Sequence, residues 1–212
     1  MSLTVSPLKT LVRPQPPEKL LGLERDLFIP APELAAWLTE VFISRSGRMF
    51  NPDHAHLEFA HIGCLWTNVA NSRQMNVVAA TSEIPFAQGG PWPKARHEQQ
   101  LCEWFGSKPD FVITFSAGIA ERMDDATWCA LCEHELYHCA QKMDEFGQPK
   151  FTKDGNPCFG IRGHDVEEFV GVVQRYGAGA AAGRTAQLVA AAALPPLIGA
   201  ADVSRVCGTC RG

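Results

Sequence analysis

Residues 134–138 read His-Glu-Leu-Tyr-His, and no other string constrains this chain as much. Positions four apart share a face of a helix, so His134 and His138 can present their rings to one Zn²⁺ at about 2.0–2.1 Å. Glu135 stands directly after the first of the pair. From there a carboxylate can hold a water activated by the metal, take its proton during attack on a carbonyl, and pass that proton to the leaving amine. Only three positions of the string are set, so its surroundings decide its weight. Trp128, Leu131, Leu136 and Tyr137 embed it in a core, where two histidines without partners would be costly. Asp124 and Asp125 open this helix at its positive end, and the pattern runs on to about residue 143.

A catalytic zinc takes three protein ligands and keeps a fourth position open, so one more ligand is expected downstream. After His138 the chain has a single histidine, His164, inside Gly-His-Asp-Val-Glu-Glu-Phe (163–169). A helix over about 164–176, ended by Gly177, would put His164, Glu167 and Glu168 on one face. His164 is the expected ligand, because a ring at a helix start after a glycine-rich turn can project into a cleft. Glu168 would then orient an imidazole through its free N–H. The alternative set makes Glu168 or Glu167 the ligand instead. Tyr176, Arg162 and Arg175 are candidates for stabilising the developing oxyanion, and each could equally be structural. The strand at 111–115, or a neighbour, is a candidate edge for aligning a substrate backbone.

The rest of the pattern predicts an α+β fold with one catalytic core. Apolar residues recur at helical spacing over 32–44, and three strands are expected, over 56–67, 75–83 and 111–115. They would form a small antiparallel or mixed sheet. A turn-rich loop at 88–93 leads to a helix over 95–105 that would turn Leu101, Trp104 and Phe105 inward. Trp92 would either flank a cleft or cover the core edge. Residues 1–19, with Pro7, Pro14, Pro16 and Pro17, read as a flexible arm that buries little surface. The core is expected over 20–177. Residues 178–212 would form an Ala-rich packed helix, stopped by Pro195 and Pro196, and a Cys207-Gly-Thr-Cys210 tail.

Composition narrows the partners. With 46% hydrophobic and 20% charged residues and a formal net charge of -4, the chain lacks the basic footprint of a nucleic-acid binder, although a local basic face could still exist. Its longest apolar run, at 186–201, falls short of the ~20 residues that cross a bilayer, and no signal-peptide pattern opens the chain. Cytoplasmic residence is the expectation, and the eight cysteines are then expected as thiols or metal ligands. Cys129 and Cys132 read as small buried apolar residues before they read as a second site. Cys207 and Cys210 have half the spacing of a zinc ribbon, and their role stays open. So does the oligomeric state.

Two resemblances join this reading. The HELYH string, the glycine-rich spacer and GHDVEEF resemble the SprT-like metallopeptidases, in which a third histidine follows in an H-G-x-x-F segment. Here Asp165 replaces the glycine, and one more residue precedes Phe169. The strings PDHAHLEFAHIGCLWTNV (52–69), PDFVITF (109–115), CALCEHELYHC (129–139), GHDVEEFVGVVQRYG (163–177) and the terminal CGTC resemble more closely the phage metallopeptidase family, over about 50–210. That resemblance implies a zincin-like core, with the sheet packed on the HExxH helix and a downstream third-ligand helix, and a phage or prophage origin. The function expected is zinc-dependent hydrolysis of peptide bonds in a protein or peptide, inside a bacterial host. The alternatives are a non-catalytic binding or inhibitor protein on the same fold, and a zinc amide hydrolase acting on cell-wall peptide.

Overall fold

The computed structural model describes residues 12–22, 25–73, 76–166, 183–199 and 201. In chain order it holds β1 (Phe28–Pro30), α1 (Pro32–Leu38), β2 (Ile62–Thr67), β3 (Ser72–Arg73), β4 (Asn76–Val77), β5 (Ala80–Glu83), α2 (Pro91–Phe105), β6 (Phe111–Ser116), α3 (Ala117–Ala120), α4 (Asp125–His138), β7 (Cys139–Gln141), β8 (Phe159–Ile161) and α5 (Arg184–Ala192). The architecture is mixed α+β with a small sheet.

The main sheet has four strands in the order β1-β2-β6-β5. The central pair, β2 and β6, is parallel, and β1 and β5 flank it antiparallel. Side chains alternate across a strand, and the residues sort accordingly. Ile62, Cys64 and Trp66 of β2 join Phe111, Ile113 and Phe115 of β6 on one face, covered by Leu34 and Leu38 of α1 and by Trp128, Leu131 and Leu136 of α4. Trp66 stacks on Trp128 at 5.6 Å between ring centroids. On the other face Leu65 and Val112 meet Leu101, Trp104 and Phe105 of α2, the three side chains expected to turn inward. Gly63 makes that contact possible, since a Cβ there would stand 2.9 Å from the Phe105 ring.

Several boundaries differ from expectation. The strand expected from residue 56 begins at Ile62, because Pro52–Phe59 forms a 3₁₀ helix with Pro in its first turn and the Asn51 side chain accepting from Asp53 N–H. The helix expected over 32–44 changes its winding along its length, with α1 passing into a wider π-helical turn at Thr39–Ile43. The strand expected over 75–83 is split into β4 and β5. Helix α2 starts at Pro91, ahead of 95, and leaves Trp92 89% exposed, neither beside the candidate site nor over the core. Helix α4 stops at His138 and not near 143, because Cys139 turns extended and β7 pairs with β8. Helix α5 ends before the proline pair as expected but buries none of its residues.

Residues 164–166 are not helical, and the remainder of the helix expected over 164–176 lies outside the described residues. The same holds for residues 177–182 and for Cys207 and Cys210. At the other end, Pro16 and Leu20 are buried. Arg13 reaches α4: its Nη2 donates to Met123 O at 2.6 Å, its Nε lies 3.4 Å from Asp125, and its guanidinium covers the Trp128 ring. Among the described residues no helix is long and apolar enough to cross a membrane, and the described cysteines are free thiols.

Candidate metal centre

Helix α4 is fixed at its start by Asp124, which accepts from Thr127 N–H and Thr127 Oγ1 at 2.9 Å each. Those bonds hold the Asp124 carboxyl below the usual carboxylate range. Trp128, Leu131, Cys132 and Leu136 are buried along its inner face, so the opposite side can carry polar groups without leaving the core. Burial pushes the Cys132 and Cys139 thiols up, and Cys129 up to about 11, so these cysteines stay protonated, as small apolar residues do.

At its C-terminal end a helix leaves carbonyls for its neighbours to satisfy, and here they come from two directions. His138 O accepts from Arg162 N–H at 2.9 Å, and Ser82 Oγ on β5 lies 3.0 Å from Glu135 O. The return of the chain through β8 thereby brings the segment after Ile161 against the end of α4. His164 rides on that segment.

The result is a cluster of three imidazoles. His134 Nε2 is 3.2 Å from His138 Nε2 and 3.2 Å from His164 Nε2. Two nitrogens each about 2.0–2.1 Å from a tetrahedral ion stand about 3.3 Å apart, so the spacing fits one ion. One proton on His134 Nε2 could not serve both neighbours as a hydrogen bond. His138 Nδ1 lies 2.7 Å from Arg162 O, an acceptor only, so Nδ1 carries the proton and Nε2 keeps its lone pair for the centre. Among the described residues these three histidines are the group able to hold a metal ion.

The cluster lines a cavity of about 530 Å³ together with Asp53, Tyr137, Arg162, Asp165 and Arg184. Tyr137 donates to Asp53 Oδ2 at 3.0 Å and accepts from Asn51 Nδ2 at 2.9 Å, and Asn51 also donates to Glu133 Oε1 at 2.7 Å. Arg162 lies over the Tyr137 ring and pairs with Asp165, whose carboxyl it holds below the usual range. A second cavity, of about 780 Å³, shares Asp53, Arg162, Asp165 and Arg184 with the first and continues past Ile84, Met143 and Ile161.

Of the residues singled out in the sequence, His134, His138 and His164 come together, and Arg162 enters the same cavity. Glu135 does not line it. This glutamate is fully buried, with Oε2 accepting from Ser82 Oγ at 2.6 Å. Glu167, Glu168, Arg175 and Tyr176 lie outside the described residues. The strand at 111–115 is interior, and the edge beside α4 is its neighbour β5. The sequence reading missed Ser82, Asp53 and Asn51, which meet α4 only through the fold. Tyr137, named only as core, was in view inside the HELYH string.

Three histidines on a helix end and an adjoining loop, backed by a mixed sheet, define a class of protein with a centre able to hold a metal ion. Residues 30–193 match the family described as "Putative phage metallopeptidase", and the chain belongs to that family. Membership in a metallopeptidase family implies a metal ion, and the three histidines are placed to bind one. No curated protein and no solved structure matches the chain.

Proposed function

We propose that this protein is a zinc-dependent peptidase of zincin type, phage- or prophage-encoded and working in the bacterial cytoplasm on a protein or peptide. The observation that carries this reading is the convergence of His134 and His138 Nε2 from α4 with His164 Nε2 from the segment after β8 at tetrahedral-ligand spacing, with Glu135 directly after the first of them. An all-nitrogen, neutral donor set suits Zn²⁺ and leaves a position for substrate. When bound there, the ion supplies Lewis-acid activation of water and of the scissile carbonyl.

The chain's own residues do the rest. Glu135 takes the proton of the attacking water and returns it to the leaving amine. Arg162, beside the cluster, supplies positive charge where the oxyanion develops. The outer edge of β5, which has no strand beyond it among the described residues, aligns an extended substrate, whose side chains enter the larger cavity past Ile84, Met143 and Ile161. The histidine segment keeps the likeness to the SprT-like enzymes as part of this proposal. One core over 20–177, followed by a C-terminal segment over 178–212, is the domain arrangement proposed with it, and the chain before residue 20 packs on that core through Arg13 and Pro16.

A second reading, metal binding without turnover, has one observation in its favour, the full burial of Glu135. Proteomic cleavage profiling of wild type against Glu135→Gln, with zinc analysis of both, tests the two readings. The peptidase reading expects cleavage by wild type, loss of at least about 10²-fold in the variant, and equal zinc content in both. Zinc-loaded wild type that cleaves nothing would select the non-catalytic reading.

A further inference from the structure

We infer that Ser82 is a positioning residue for Glu135, an assignment that rests on the peptidase reading above. Ser82 is 4% exposed, on the inward side of β5. Its Oγ lies 2.6 Å from Glu135 Oε2 and 3.0 Å from the main-chain oxygen of the same residue. The shorter contact is the hydrogen bond, with the Ser82 hydroxyl donating to Oε2, and the same hydroxyl rests against the main-chain oxygen, so it limits the rotamers that Glu135 can adopt.

The place of Ser82 is specified by the sheet. Antiparallel register pairs Ser82 with Ile113, a buried residue of the central strand, and Ala80 with Phe115. Side chains alternate along β5, so Ala80 and Ser82 point inward while Glu83 is exposed. A slip of one residue would exchange Ser82 for Thr81 or Glu83 and break the contact with α4. An inward position on such a strand ordinarily takes an apolar residue. A hydroxyl belongs here because the group it faces is a buried carboxylate, which needs donors. A carboxylate held from a rigid strand samples fewer conformations, so less ordering remains to be supplied at each proton transfer.

The test compares wild type, Ser82→Ala and Ser82→Thr on a fluorogenic peptide taken from the wild-type cleavage profile, with zinc content measured for each. The expected result is a kcat lower by about 10–100-fold in Ser82→Ala, with KM and zinc content unchanged, and recovery in Ser82→Thr, which keeps the hydroxyl. Ser82→Ala with wild-type or higher kcat would overturn the assignment, as would equal loss in both variants. Should Ser82→Ala fail to fold, Ser82→Cys, of similar size and a weak donor, takes its place. If wild type cleaves no peptide, the peptidase reading fails first. Ser82 is then judged by crystal structures of the zinc-loaded proteins: a Glu135 carboxylate displaced in Ser82→Ala supports the positioning role, and one left in place ends it.

Discussion

His138 is held from two sides, through its Nδ1 and through its own carbonyl, both to Arg162, whereas His164 is exposed and sits on a segment without regular structure. The proposed third ligand is therefore the one whose loss is most informative. His164→Ala should weaken zinc binding by more than the about 10–100-fold typical of a supporting residue, measured by competition with a chromophoric chelator. Metal-edge spectroscopy should count three imidazoles in wild type and in Glu168→Ala, and two in His164→Ala. Two in wild type would move the role to Glu168 or Glu167. The chain has seven histidines. His134 and His138 stand out because helical spacing is a local signal, and His164 because it follows alone. What the others do depends on the fold: His54 is fully buried against Tyr137, its pKa lowered to about 4 by burial, and His56 bonds Cys139 O. No residue pattern announces that Ser82 meets Glu135, since the contact joins positions 53 apart.

At the scale of elements, β2 meets α2 in close contact at Gly63. Gly63→Ala would drive a Cβ to 2.9 Å from the Phe105 ring, and overpacking of this kind costs about 1–3 kcal/mol. Urea unfolding of the variant should show that loss, and an unchanged midpoint would mean that Phe105 moves aside freely. Strands β2 and β6 and helices α1, α2 and α4 were legible because their apolar periodicity is internal to each segment. The 3₁₀ helix at Pro52–Phe59 was not. Its buried residues His54 and Leu57 lie three apart, and the alternation beyond them resembles a strand. The end of α4 was hidden for a different reason. Residues 139–143 could extend a helix, but pairing of β7 with β8 wins, and that pairing is tertiary.

On the scale of the whole molecule, the N-terminal segment is tied to the core earlier than its proline content suggests. Arg13, its side chain 10% exposed, bonds Met123 O and covers Trp128 at the start of the helix that carries the centre. Arg13→Ala should cost about 1.5–3 kcal/mol, the range for a hydrogen bond from a charged group, and deletion of residues 1–19 at least as much. Thermal unfolding checks both, and unchanged melting would return the segment to the status of an independent arm. Between the second histidine and the third, the chain runs out through β7 and back through β8, with Lys142 N–H donating to Cys158 O at 2.7 Å where the two legs part. The positions of His138 and His164 are thus set at the base of this excursion, and its outer turns, at Gly147 and Gly155, lie beyond the bridges that join Met143 to Pro149 and Phe151 to Pro157. A change of length at either turn would therefore alter the far end of the excursion while the two histidines keep their footing at its root.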